Sequence, residues 1–156
     1  MTTTIIYDVL ILGGGPGGLA VANALARQLY TALVFNSGVF RNARAAHMHN
    51  VLGWDHQDPT VFRAKAKADI LTHYQSISFQ EDTTISSLAR LPNGYFEVTS
   101  TTGQKWQGRK VALATSVTDV PLDIEGYDDC WGRGIFHCLF CHGYEERGSA
   151  NAAVLA

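Results

Sequence analysis

The sequence predicts an α/β fold, in which a parallel sheet carries helices on its faces and continues into a small antiparallel β-meander. An apolar, β-branched run at residues 5–12 leads directly into the glycine-rich stretch 13–18. A helical pattern and a second apolar run at residues 32–35 follow within the length of one parallel crossover. Short runs separated by turn residues, which are typical of hairpins, come later in the chain.

The bulk composition is that of a folded α/β domain. The chain has 156 residues, of which 46% are hydrophobic and 17% charged, and this excludes intrinsic disorder. A net charge of -2 indicates neither a nucleic-acid nor an acidic-membrane partner. No apolar run approaches the roughly 20 residues of a spanning helix, and the N-terminus lacks the basic region of a signal peptide. We therefore expect a cytoplasmic protein.

The first strand is expected at Ile5–Leu12 and the second at Ala32–Phe35, because short continuous apolar runs are typical of strands buried on both faces. Pro16 fits the first turn of the helix between them. The apolar face of this helix comprises Leu19, Val21, Ala22, Leu25 and Leu29.

A second helix is expected from Pro59 to about Tyr74, with Asp58 as its cap. Asn93-Gly94 favours a tight hairpin turn, and residues 41–59 are expected to form a loop. The remaining strands are expected at residues 76–79, 84–88, 95–100, 105–107 and 110–114, the last of which is expected to be buried.

The pattern Gly13-x-Gly15-x-x-Gly18 lies between a predicted strand and a predicted helix, as in a Rossmann-like dinucleotide-binding loop. We expect Gly13 to permit the tight turn, Gly15 to let the backbone approach a pyrophosphate, and Gly18 to let the helix pack closely on the strand. Backbone N–H groups and the helix dipole then bind the phosphates. The alternative is a glycine-rich turn in an unrelated α/β fold.

The end of the second strand departs from the usual dinucleotide-binding pattern. An acidic residue that binds the ribose hydroxyls is typical there, whereas this chain has Asn36 followed by Ser37. An asparagine still makes one hydrogen bond, so we expect binding at this position to be weakened and not lost. Arg41 lies nearby and is a candidate for contacting phosphate or adenine.

Cys138 and Cys141 form a C-x-x-C pair that is directly followed by His142. This spacing lets both sulfurs share one turn and close a small disulfide ring, and a helix start favours the reactive thiolate. His142, or His137 before the pair, can hold or pass on the proton that moves when a dithiol becomes a disulfide. Together with a dinucleotide site, the pair indicates a redox flavoprotein.

Three other interpretations of the cysteines remain open. Residues 138–142 also match covalent c-type haem attachment, although that requires an exported chain. Zinc is the second alternative, but four ligands within six residues do not readily form a tetrahedral cage, and we predict no metal site. Plain buried cysteines are the third alternative. Cys130 has no partner at this spacing and is expected to be structural.

Four stretches, at residues 13–18, 49–56, 112–116 and 131–145, carry a resemblance to a known family that covers essentially the whole chain. The chain resembles the thioredoxin-reductase-like (class II) flavoproteins of the pyridine nucleotide-disulfide oxidoreductases. Within them it is most similar to the fungal dithiol oxidases of the gliotoxin-oxidase type.

The resemblance implies that FAD binds in the glycine loop, with Asn50 beside the flavin and a second flavin contact at Ala114-Thr115. Ser116 follows where the family usually has glycine, and this is a departure from the family pattern. The implied FAD-binding residues are Gly13, Gly14, Gly15, Pro16, Gly17, Gly18, Asn36, Ser37, Arg41, Asn50, Ala114 and Thr115.

The implied catalytic residues are Cys138, Cys141 and His142. By resemblance, Cys141 faces the flavin and Cys138 exchanges with the substrate. His142 stands where the related reductases have an aspartate that acts as acid and base. That replacement favours the oxidase-like branch of the family.

The family also implies the domain organisation. Residues 1–120 are expected to be the N-terminal part of an FAD-binding domain, and residues 121–156 a linker with the C-x-x-C pair and the start of a second nucleotide-binding-type domain. Residues 151–156 have the character of a buried strand that normally continues into a turn and a helix. We therefore expect a chain that is truncated at its C-terminus.

The predicted function is a flavin-dependent thiol–disulfide oxidoreductase, which oxidises a dithiol through the C-x-x-C pair and FAD with oxygen as acceptor. The alternatives are an NADPH-dependent thioredoxin-disulfide reductase, with NADPH binding in the full-length protein, and an inactive truncated fragment. The expected partners are a small-molecule dithiol or a thioredoxin-like substrate, and a second copy of the full-length protein in a homodimer. Neither a nucleic acid nor a membrane is expected as a partner.

Overall fold

The computed structural model describes residues 5–154 and consists of two compact units. The first, here called the sheet unit, contains the residues up to Arg41 together with Arg63–Thr118. The second, here called the cysteine unit, contains Asn42–Phe62 and the residues from Asp119 onward. No helix in the described part of the chain is both long enough and apolar enough to cross a membrane.

The sheet unit is built on one six-stranded sheet. Its strands are β1 (Ile6–Leu12), β2 (Ala32–Phe35), β3 (Ile77–Gln80), β4 (Ile85–Arg90), β5 (Phe96–Ser100) and β6 (Lys105–Leu113). They lie in the order β3-β2-β1-β6-β5-β4. The first four in this order pair in parallel, whereas β6, β5 and β4 pair antiparallel. The predicted α/β fold, with a parallel sheet and an antiparallel β-meander, is therefore confirmed.

Four helices are found among residues 5–154. They are α1 (Pro16–Arg27), α2 (Pro59–His73), α3 (Tyr127–Cys130) and α4 (Leu139–His142). The first connects β1 to β2 as the predicted parallel crossover, and Pro16 is its first residue. The second begins at Pro59, as predicted, and ends one residue before Tyr74.

The core lies on both faces of β1, because successive side chains of a strand point to opposite sides of the sheet. The cluster on one face contains Ile11, Leu19, Ala22, Ala26, Ala32, Val34, Ile70 and Ile77. The cluster on the other face contains Leu10, Leu12, Leu33, Phe35 and Val98. Burial on both faces explains why β1 and β2 have continuous apolar sequences in place of an alternating pattern.

The prediction that Leu29 belongs to the apolar face of α1 is wrong, because this side chain is 87% exposed. The helix ends at Arg27, and Leu29 adopts a left-handed conformation with φ of 63° as the chain turns towards β2. The helical periodicity therefore stops before this residue. Leu19 and Ala22 are buried, as predicted.

The two strands predicted at residues 105–107 and 110–114 are one continuous strand, β6. Gly108 lies in its middle, where an added Cβ would come within 2.7 Å of Leu10 Cγ. This glycine therefore makes room for a buried leucine on β1 and does not interrupt the strand. The C-terminal part of β6 is less buried than predicted, since Leu113 is 69% exposed.

Candidate functional site

The glycine loop of the sheet unit joins β1 to α1 and is held close to the end of β6. Gly13 has φ of +122°, and an added Cβ would come within 2.1 Å of the Ala114 carbonyl oxygen. At Gly18 an added Cβ would come within 1.8 Å of the Gly13 carbonyl oxygen. Both positions therefore exclude a side chain, in agreement with the predicted tight turn and close packing of the helix on the strand.

Gly15 and Gly17 are different, because an added Cβ at either position would meet no atom within 4 Å. Gly15 caps the N-terminus of α1 without a side-chain hydrogen bond, and the first turn of α1 contains no acidic residue. The N–H groups at this helix end are therefore available to bind an external anion, which the helix dipole attracts. Open space beside a helix N-terminus that has neither a side-chain cap nor an acidic residue fits a dinucleotide pyrophosphate.

Asn36 follows β2 directly and packs against the glycine loop, where an added Cβ on Gly14 would come within 2.7 Å of its side chain. Its Nδ2 donates to Glu81 Oε2 at 2.7 Å, and its Oδ1 accepts from the Gly38 N–H at 3.1 Å. Lys67 Nζ donates to the other oxygen of Glu81 at 2.7 Å. The carboxylate near the end of β2 is therefore supplied by Glu81.

Sequence reasoning missed Glu81. A signal for it exists: Glu81 comes directly after β3, which is the parallel neighbour of β2, and the carboxyl ends of parallel strands meet at one edge of a sheet. Of the other predicted residues near Asn36, Ser37 Oγ accepts a long 3.4 Å hydrogen bond from the Val39 N–H, and Arg41 is exposed.

Ala114 and Thr115 lie just beyond β6, next to the glycine loop. The Ala114 N–H donates to the Leu12 carbonyl at 2.8 Å, which continues the parallel pairing of β6 with β1. Ser116 is exposed and adopts a left-handed conformation with φ of 62°. The chain therefore keeps a backbone conformation that glycine adopts without steric cost, but builds it with a serine.

In the cysteine unit, Cys138 and Cys141 form a disulfide with a Cα–Cα distance of 5.4 Å, which confirms that the two sulfurs pair. Cys138 has an extended backbone at the N-cap of α4, and Cys141 lies in this one-turn helix. Both cysteines are partly buried, whereas Leu139 and Phe140 between them are 77% and 87% exposed. The disulfide thus lies at the start of a helix, as predicted.

His142 follows the disulfide, and its ring stacks on Phe136 at 4.7 Å between centroids. Its Nδ1 is buried and has no hydrogen-bond partner in the part of the chain that the structure describes. Burial lowers the pKa of His142 below its ordinary 6.5, and His137 and His49 add to this effect. Glu145 and the backbone of Cys138 act in the opposite direction. The imidazole is therefore neutral at neutral pH and able to accept a proton.

His137, the other predicted proton carrier, is exposed, and its ring stacks on Trp131 at 5.8 Å. Cys130 is free and exposed, and its carbonyl accepts hydrogen bonds from the turn that follows it. It ends the short helix α3, whose own residues are not buried.

Asn50 connects the loop of the cysteine unit to the disulfide helix. It has a left-handed backbone with φ of 63°, which asparagine tolerates better than most residues. Its Nδ2 donates to the Phe140 carbonyl at 2.9 Å, and its N–H donates to Asp55 Oδ1 at 2.9 Å. Both groups on Asn50 are thus engaged within the cysteine unit.

A second group of polar side chains, missed by sequence reasoning, lies beside Asn50. His49 Nδ1 is 3.6 Å from Asp55 Oδ1, and His49 Nε2 is 3.6 Å from Glu145 Oε1. His56 Nε2 is 3.4 Å from Asp55 Oδ2, and the two imidazole rings lie 4.6 Å apart. His49, Asp55 and His56 offer three ligand atoms within 4.8 Å of one another and are able to hold a metal ion.

The chain is similar to curated proteins along nearly its whole length. Thioredoxin reductase sirT from Leptosphaeria maculans is 46% identical over 154 residues, which are 99% of this chain and 47% of that protein. Thioredoxin reductase tcpT from Claviceps purpurea is 48% identical over 156 residues, or 100% of this chain and 48% of that protein. The chain spans about half the length of these curated relatives.

Among solved structures, the crystal structure of the oxidoreductase from Agrobacterium tumefaciens is 34% identical, with a TM-score of 0.84. The match covers 92% of this chain and 48% of that one. The family described as pyridine nucleotide-disulphide oxidoreductase matches residues 7–154, which include both the glycine loop and the cysteine pair. The chain therefore belongs to the pyridine nucleotide-disulphide oxidoreductase family.

Proposed function

We propose that the protein is a flavin-dependent thiol–disulfide oxidoreductase that oxidises a dithiol substrate, with oxygen as the final acceptor. The observation that carries this proposal is the Cys138–Cys141 disulfide at the start of α4, followed by the partly buried, neutral imidazole of His142, whose Nδ1 is buried. A disulfide is an oxidant for thiols, and a neutral imidazole accepts the protons that the thiols release. Membership of the disulphide oxidoreductase family supports the same chemistry.

The proposed FAD site lies on the sheet unit. The glycine loop 13–18 and the N-terminus of α1 would hold the pyrophosphate, because this helix end has neither an acidic residue nor a side-chain cap. Asn36, Ser37 and Arg41 would lie towards the adenosine, and Ala114-Thr115 towards the flavin. When bound, FAD supplies a two-electron acceptor that reoxidises the cysteine pair and delivers the electrons to oxygen.

The cysteine pair would act by thiol–disulfide exchange. One substrate thiolate attacks Cys138, the Cys138–Cys141 bond breaks, and the Cys141 sulfur leaves as a thiolate. The second substrate thiolate then displaces Cys138, so that the substrate holds a new disulfide and the protein holds a dithiol. Two electrons have passed from substrate to protein. With oxygen as acceptor the net reaction converts the dithiol and O₂ into the disulfide and hydrogen peroxide.

His142 would hold the proton that leaves the thiols. Its position after Cys141 and its lowered pKa keep it ready to accept a proton at neutral pH. The buried Nδ1 is a further reason, since it has no hydrogen-bond partner among the described residues, and a role in proton transfer would explain why this energetic cost is retained. Leu139 and Phe140 would present an apolar surface to the substrate, because both are largely exposed beside the disulfide.

The second candidate is an NADPH-dependent thioredoxin-disulfide reductase, which transfers electrons in the opposite direction, from NADPH to a disulfide substrate. The names of the fungal relatives favour it, since both are called thioredoxin reductases. In either case we propose a cytoplasmic protein that acts on a small dithiol or a thioredoxin-like substrate and is a homodimer at full length. An isolated chain without activity is the third candidate.

The experiment has two arms. In the first, the 156-residue chain is purified, mixed with FAD, and examined for bound yellow flavin by gel filtration and absorbance. In the second, the chain is fused to the remaining half of the Claviceps purpurea relative, which it matches at 48% identity. The fusion is then given a small dithiol and oxygen, or NADPH and oxidised thioredoxin.

We expect flavin to bind the fusion, and the dithiol to be oxidised with one hydrogen peroxide formed per disulfide. NADPH oxidation without peroxide would replace the oxidase with the reductase. A fusion that binds flavin but performs neither reaction would contradict the proposed function altogether. If the isolated chain binds no flavin while the fusion does, the isolated chain is the inactive fragment of the third candidate.

A further inference from the structure

We propose that His49, Asp55 and His56 form a binding site for a divalent transition-metal ion of the zinc type. One ligand atom from each side chain lies within 4.8 Å of the other two. All three belong to the cysteine unit, on the segment Asn42–Phe62. Two imidazoles and one carboxylate are a ligand set that such ions accept in proteins.

The spacing of the ligand atoms supports a metal better than direct hydrogen bonds. Asp55 Oδ1 lies 3.6 Å from His49 Nδ1, and Asp55 Oδ2 lies 3.4 Å from His56 Nε2; both distances are longer than a good N–H···O hydrogen bond. In a tetrahedral zinc site with bonds of about 2.0 to 2.2 Å, neighbouring ligand atoms are about 3.3 to 3.6 Å apart. Each carboxylate oxygen therefore lies from the imidazole nitrogen that it faces at about the separation of two ligands of one ion, and the three ligand atoms, one from each residue, lie within 4.8 Å of one another.

The groups behind the ligands are also arranged as in metal sites. Glu145 lies 3.6 Å from His49 Nε2, the ring nitrogen that faces away from Asp55. A carboxylate on the far nitrogen of a ligating histidine orients the ring and raises its basicity. Asp55 Oδ1 is itself held by the Asn50 N–H at 2.9 Å. Two of the three ligands thus have an outer partner.

The backbone brings the two histidines together without needing an ion. Met48 and Gln57 form an antiparallel bridge, with hydrogen bonds of 2.8 Å from the Met48 N–H to Gln57 and 2.9 Å from the His56 N–H to Met48. His56 has a left-handed conformation with φ of 60°, which is unfavourable for a residue with a Cβ. The loop therefore presents the imidazole of His56 at a position where glycine would be easier to accommodate.

The site is open on one side. The side chain of His49 is 12% exposed, whereas those of Asp55 and His56 are 52% and 62% exposed. A fourth ligand from solvent would complete a tetrahedron, as in sites with three protein ligands and one water. The sequence pattern leaves zinc as an alternative only at the cysteine pair and predicts no metal site. The proposed site uses none of the cysteines and does not depend on the proposed function.

The test is a calorimetric titration of the 156-residue chain with Zn²⁺, at neutral pH, with the disulfide intact and without a histidine tag. The key variant is His56→Gly, which removes one ligand and relieves the left-handed backbone, so that the loop is not expected to unfold. His47→Ala is the matched control, because His47 is exposed on the same loop and lies outside the cluster. Glu145→Gln tests the outer carboxylate.

We expect one Zn²⁺ per chain, at least about tenfold weaker binding in the His56→Gly variant, and about 10- to 100-fold weaker binding in the Glu145→Gln variant. The His47→Ala variant should bind as the unchanged chain does. Co²⁺ should give visible bands without a thiolate charge-transfer band. No saturable binding, equal losses in the His47 and His56 variants, or a thiolate band would each overturn the proposal.

Discussion

Replacing Asn36 by Asp would place a second carboxylate directly beside Glu81. In the protein, Asn36 Nδ2 donates to Glu81 Oε2 at 2.7 Å, and Lys67 neutralises the same carboxylate from α2 at 2.7 Å. The substitution keeps the size and shape of the side chain but turns the donor into a charged acceptor. It therefore replaces the attraction between side chain 36 and the Glu81 carboxylate by a repulsion.

The magnitude follows from two contributions. Loss of a hydrogen bond to a charged group costs about 1.5 to 3 kcal/mol. Two like charges about 4 Å apart repel by about 1 kcal/mol in water and about 4 kcal/mol near a protein surface. The Glu81 side chain is 40% exposed, so the repulsion falls in the lower half of this range. Since the side chains can also turn into water, we expect the Asn36→Asp variant to lose about 2 to 4 kcal/mol of stability.

The assay is urea unfolding at neutral pH and again in mild acid. As the pH falls, one of the two adjacent carboxyls takes up a proton and the pair regains a hydrogen bond, so the loss in stability should shrink. The control is the swapped pair, Asn36→Asp with Glu81→Gln. It restores one donor, one acceptor and one negative charge, so its stability should return to within about 1 kcal/mol of the original. The remaining loss is expected because the ion pair with Lys67 is weakened.

A variant as stable as the original chain at neutral pH would refute the reasoning. So would a swapped pair that is no more stable than Asn36→Asp alone. Under the proposed function, the amount of bound FAD should rank the original chain, the swapped pair and the Asn36→Asp variant in the same order as their stability does. The reason is that Glu81 carries the charge near the ribose in the original chain.

The remaining predictions concern the glycine loop, the backbone after β6, the cysteine pair and the histidine beside it. Gly15→Val should abolish FAD binding, measured by flavin absorbance, yet change the free energy of unfolding by less than about 1 kcal/mol, because its Cβ meets no atom within 4 Å; a retained flavin would contradict the phosphate site. Ser116→Gly should raise stability by about 0.5 to 1 kcal/mol in thermal unfolding, since relief of a left-handed serine (about 1 to 2 kcal/mol) exceeds the added entropy of the unfolded chain; a destabilised variant would be the opposite result. Cys141→Ser should stop dithiol oxidation in the fused protein while flavin stays bound, and residual turnover would remove the disulfide from the mechanism. Because the pKa of His142 lies below its ordinary 6.5, the unfolded state takes up this proton first, so stability should decrease as the pH falls from 7 through 6.5; His142→Phe should make the urea midpoint less dependent on pH, and an unchanged dependence would show that another group is responsible.

Local patterns predicted the central strands and the first helix. The apolar runs of β1 and β2 and the helical period of α1 each come from residues close in sequence, and burial on both faces of the sheet leaves a clear trace in them. The errors arose where a distant residue decides the structure. Gly108 would be taken for a strand break, but it lies under Leu10, and that contact is visible only in three dimensions.

The candidate site divides in the same way. The sequence alone establishes the glycine loop and the cysteine pair, because each is one contiguous segment whose geometry depends on glycine sterics or on a two-residue spacing. Tertiary structure alone brings Glu81 to Asn36 and Glu145 to His49, across 45 and 96 residues of sequence. A carboxylate acts on whatever lies within a few ångströms of it, and chain folding, which no short pattern records, sets those distances.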